Sequence, residues 1–97
     1  MMGESEVAVP PRMLTPGPQV FPAQMRIDGI SGQVTVTYVV GADGLALRPS
    51  VRVIRATNDA FVHAAEQMIY GSRFSPGAHL GTAVATCVQQ VVHFTIQ

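Results

Sequence analysis

The chain has 97 residues, 47% of them hydrophobic and 12% charged, with six basic residues against six acidic ones. That length holds one domain with one modest core. The basic residues are all scattered arginines, which gives no track for a phosphate backbone and argues against nucleic-acid binding.

Residues 1–18 read as a proline-rich linker and residues 19–97 as the folded domain. Pro10, Pro11, Pro16 and Pro18 fall close together, after Glu4 and Glu6. Prolines at that density favour extended, poorly hydrogen-bonded backbone, and the expectation is a tail or spacer that packs no core. The stretch lacks the basic start and apolar run of a signal peptide. No apolar run in the chain reaches the ~18 residues that would span a bilayer. The expectation is a soluble piece of something larger, or a chain carried to its site by partners.

Phe21-Pro22 opens a short helix, with proline in the first turn, where a missing N–H costs little. Gly29 ends it. From Gly32 the period changes to two: Val34, Val36, Tyr38 and Val40 point one way, Gln33, Thr35 and Thr37 the other. Asp43-Gly44 marks a hairpin. The second strand carries Leu45, Leu47, Val51 and Val53 on one parity and Arg48 and Arg52 on the other. Pro49 inside it predicts an edge strand or a bulge. Thr57-Asn58-Asp59 starts a second helix. Phe61, Ala64, Ala65, Met68 and Ile69 recur on one of its faces, and Gly71 stops it. After the connector around Phe74, residues 82–97 form one long strand, with Val84, Val88, Val92, Phe94 and Ile96 on the apolar parity. Sixteen residues exceed the usual ~5–6, so this strand is expected to bend or overhang. The fold class is α+β: a three-stranded antiparallel sheet with a short N-terminal helix and one longer amphipathic helix on one face.

The polar residues point away from catalysis. Cys87 is the only cysteine, so no internal disulfide is possible. His63, His79 and His93 lie on different elements without metal-ligand spacing. Cys87 and His93 are about 20 Å apart along an extended strand, too far to share a proton. No phosphate loop is present, and no cofactor or metal is expected. What remains is backbone. The last strand has no proline and little charge to protect its edge, which makes the edge a candidate site for an extended peptide or for self-pairing into a dimer.

Several motifs occur together in a recognisable order: Phe21-Pro22, Gly29-Ile30-Ser31-Gly32, the alternating Val34 to Val40 positions, Asp43-Gly44, Val51-Arg52-Val53-Ile54-Arg55, Arg73-Phe74-Ser75-Pro76, and a final Val-x-Phe-x-Ile. In this order and spacing the sequence resembles the C-terminal domain of TonB-type energy transducers. Ser72 stands where that family commonly has a tryptophan. The resemblance implies a periplasmic domain at the end of a proline-rich spacer anchored in the inner membrane. It implies that the last strand pairs with an extended segment of an outer-membrane transporter. The alternative is a TonB-like structural or adaptor subunit of a larger envelope assembly. The candidate partner-binding residues are Phe21, Pro22, Cys87, Val88, Gln89, Gln90, Val91, Val92, His93 and Phe94.

Overall fold

The computed structural model describes residues 2–96. Its centre is the strand β3 (Gly32–Val40), paired antiparallel along its whole length with β8 (Thr86–Phe94). On its other side β3 pairs with β4 (Arg52–Ala56), also antiparallel. A fourth, two-residue strand, β1 (Met2–Gly3), joins β8 in parallel, so the order is β1-β8-β3-β4. The fold class is the α+β one expected, but the sheet has four strands and not three. The extra strand comes from the segment read as a linker.

The alternating pattern of β3 is realised. Val34, Val36, Tyr38 and Val40 are buried, and Gln33 is exposed. The Asp43-Gly44 turn closes through Gly44 N–H to the Gly41 carbonyl and Gly41 N–H to the Leu45 carbonyl. Pro49 does not interrupt a strand. Arg48–Ser50 forms a turn of 3-10 helix, and β4 begins only after it. The bulge in this edge pair falls at Ile54, where the register slips between Thr35 and Val36.

Helix α1 (Ala23–Ile27) follows Pro22 and ends at Gly29, whose φ of 67° is cheap only for glycine. The longer helix α2 (Val62–Gly71) is led in by a 3-10 turn at Asp59–Phe61, whose N-cap Asn58 side chain accepts from Ala60 N–H at 2.9 Å. It buries Ala65, Met68 and Ile69, and with Phe61 they join the β3 valines, Val88, Val92 and Phe94 in one core. Gly71 forms the last position of the helix, one residue later than its expected stop.

The sixteen-residue last strand is two strands. The short β7 (Thr82–Val84) pairs with β6 (Gly77–His79), and the chain then breaks at Ala85 before entering β8. The inward parity is as read for Val88, Val92 and Phe94, with Thr86 also buried.

Residues 2–15 do not behave as a tail without a core. Strand β2 (Arg12–Thr15) pairs antiparallel with β5 (Arg73–Ser75), and Val9 and Ala78 exchange two backbone hydrogen bonds. Val7 is buried and Met13 packs against the core. The prolines flank β2 without entering it, so their extended backbone delivers a pairing-competent stretch to the edge of β5. Gly17 then passes so close to α2 that a Cβ there would overlap the Met68 carbonyl oxygen. Its N–H donates to the buried Ser72 Oγ at 2.8 Å, and that hydroxyl donates to the Met68 carbonyl at 2.7 Å. Ser72 is thus a small polar clasp between the proline segment and the helix end.

Candidate functional site

In an antiparallel pair, successive residues aim their backbone groups alternately at the two neighbours. Gln89 N–H donates to a Glu4 carboxylate oxygen at 3.2 Å, on the side away from β3. The backbone groups of Cys87, Gln89, Val91 and His93 therefore face the outer edge of β8. Those of Val88, Gln90, Val92 and Phe94 face β3, in register with Tyr38, Val36, Val34 and Gly32. Side chains sort by the same parity onto the two faces. Val88, Val92 and Phe94 are buried, and Gln90 accepts from the Tyr38 hydroxyl at 2.6 Å. Gln89, Val91 and His93 are exposed and Cys87 is half-buried.

The outer edge is not bare, as the sequence reading had it. At its start Met2 N–H donates to the Ala85 carbonyl, and Met2 and Gly3 lie beside Thr86 and Cys87. Glu4 takes Gln89 N–H. At its far end the Gln19 side-chain amide donates to the His93 carbonyl at 2.7 Å. Between these, no strand of the described residues pairs with Val91 on the outer side. Glu4 and Gln19 were missed as edge residues. The two glutamates before the prolines are visible in the sequence, but nothing in it tells which strand they reach.

Phe21 and Pro22 sit near the far end of this edge. The Phe21 ring stands edge-on to Phe61 and Phe94, with centroids 5.6 and 6.0 Å away, while Phe61 and Phe94 stack at 4.9 Å. Phe21 thereby ties the segment that carries Gln19 to the end of β8. Pro22 faces the other way, into an apolar groove with Pro18, Val20, Ala60, His63, Ala64 and Gln67. The structure therefore brings Phe21 to the β8 end and leaves Pro22 beside it.

Under the N-terminal segment lies a cavity of about 230 Å³, lined by Glu4, Met13, Tyr38, Val40, Phe74 and Gln90 among others. Burial, with the Glu4 charge adding to it, pushes the Tyr38 phenol well above its ordinary range, so it remains a hydrogen-bond donor. No group of three or more His, Cys, Asp or Glu among the described residues is placed to hold a metal ion. No helix among them is long and apolar enough to cross a membrane.

The family described as the Gram-negative bacterial TonB protein C-terminal matches residues 17–96. The chain belongs to the TonB C-terminal family. A solved structure, the solution NMR structure of the Pseudomonas aeruginosa TonB C-terminal domain, is similar to it with a TM-score of 0.76 and 25% sequence identity. That match covers 99% of this chain and 95% of the other. No curated protein matches the chain. The family match begins at Gly17, just after Pro16, and so leaves out β1, β2 and Glu4. As a TonB-like domain, the chain takes its place among energy-transducing, protein-binding domains.

Proposed function

We propose that this chain is the periplasmic, partner-binding domain of a TonB-type energy transducer, and that the outer edge of β8 pairs with an extended segment of an outer-membrane transporter. One observation supports this above the others. Among the described residues, the outward backbone groups from the Gln89 carbonyl through Val91 to the His93 N–H are left open, between the Gln89 N–H taken by Glu4 and the His93 carbonyl taken by Gln19. Strand addition needs a row of unpaired backbone groups on a fixed strand, and β8 is held along its other side by nine residues of β3. A second copy of the chain could use the same edge, so dimer and partner complex would exclude each other.

The test is a titration of the isotope-labelled domain with synthetic peptides taken from the extended periplasmic segments of outer-membrane transporters. Amide shifts are expected to be largest at Cys87, Gln89, Val91 and His93 and small at Gln90 and Val92. Shifts concentrated instead on Ala60, Ala64 and Gln67 would move the binding site to the groove beside Pro22 and overturn the reading.

A further inference from the structure

The segment that occupies the start of the β8 edge is built differently from the rest of the sheet. Among the described residues it pairs through Met2 and Gly3, running parallel to β8. The next bond on the edge is made by a side chain. The Glu4 carboxylate accepts from Gln89 N–H, as the carbonyl of a paired strand would. Glu6 folds back to accept from Gly3 N–H at 2.8 Å, which turns the chain away from the edge. Glu4, Ser5 and Glu6 are exposed, whereas Val7 is buried and the Val9–Ala78 bonds fix the segment's base. A short, wet attachment on a firm anchor opens at little free-energy cost and closes again readily.

We propose that residues 2–6 are a removable cover for the β8 edge, competing in cis with any extended segment that pairs there. The proposal rests on the reading of β8 as a strand-addition edge. With the cover closed, the outer edge is open from the Gln89 carbonyl through Val91 to the His93 N–H among the described residues, and a partner that extends back to Cys87 must displace Met2, Gly3 and Glu4. The cover also bears on what it competes with: an extended segment able to set an acceptor opposite Gln89 N–H.

The experiment uses the full chain in three forms: wild type, a Glu4→Lys/Val7→Asp variant that removes both the acceptor and the buried anchor, and Glu4→Gln, which keeps a carbonyl acceptor without the charge. Amide hydrogen exchange is followed at Gln89 and Gln90. In the double variant, exchange at Gln89 is expected to rise by about tenfold or more, as for a bond lost by local opening, while Gln90, bonded to β3, is unchanged. Glu4→Gln should retain most of the protection. The probe is a synthetic peptide with the sequence of residues 1–8, added in trans. It should restore protection at Gln89 in the double variant and leave the wild type unaffected. Unchanged exchange at Gln89 in the double variant would overturn the cover and leave the proposed function standing. Loss of protection that the peptide fails to restore would overturn the competition, and would count against strand addition at β8 as well.

Discussion

Tyr38 shows how much one side chain carries in this domain. Its ring packs on Phe74 with centroids 5.6 Å apart, and its hydroxyl donates to Gln90 across the β3–β8 pair. Burial raises its pKa above the value of about 10 that a phenol has in the unfolded chain. Above pH ~10 the unfolded state therefore gives up this proton first, and the folded state loses ground as pH rises further. Tyr38→Phe should cost about 0.5–1.5 kcal/mol at neutral pH, for the lost hydrogen bond. It should also flatten the fall in stability above pH ~10, which denaturant melts at pH 7 and 10.5 would measure. The inward position of Tyr38 was legible from the alternation through Val34, Val36 and Val40. Its partner was not, because two residues on different strands meet only once the register is known.

At the scale of elements, β8 separates two adjacent glutamines that look alike in the sequence. Gln90 sends its N–H to β3 and Gln89 sends its own to Glu4. Gln90→Pro should break an internal ladder bond and wedge a ring against Val36, costing about 3 kcal/mol or more by analogy with a helix-interior proline. Gln89→Pro should keep the circular dichroism of the wild type and melt within about 1 kcal/mol of it, since it loses one exposed bond. Equal destabilisation by the two would show that the edge assignment is reversed. The helix cap at Asn58, the Asp43-Gly44 turn and the inward valines of β8 were all readable, because each rests on local backbone geometry or a fixed period; the second strand was not, since it begins only at Arg52 and leaves Leu45, Leu47 and Val53 exposed. The break at Ala85 was not, since the parity of Val84 and Val88 runs through it unchanged. Nor was the docking of β2. Prolines report that a backbone is extended, and they carry no information about the strand it meets.

Across the whole molecule, the contacts that tie the sheet and its edge together join distant parts of the chain. Tyr38 and Gln90 are 52 residues apart and Glu4 and Gln89 are 85 apart. Small domains dominated by such pairings fold in roughly milliseconds to seconds, against microseconds to milliseconds for helical bundles. Stopped-flow refolding of this domain should fall in the slower range. Glu4→Lys should leave the refolding rate unchanged and affect exchange at Gln89 alone; a slowed rate would place the N-terminal cover in the folding nucleus. The sheet order sets a further problem during synthesis. β8 lies between β1 and β3, yet it is made after every other strand. At about 5–20 residues per second, the ribosome needs roughly 3 to 10 s to go from Tyr38 to Gln90. For that interval β3 lacks the strand that pairs with all nine of its residues, and its long central edge stands open to pairing with another chain.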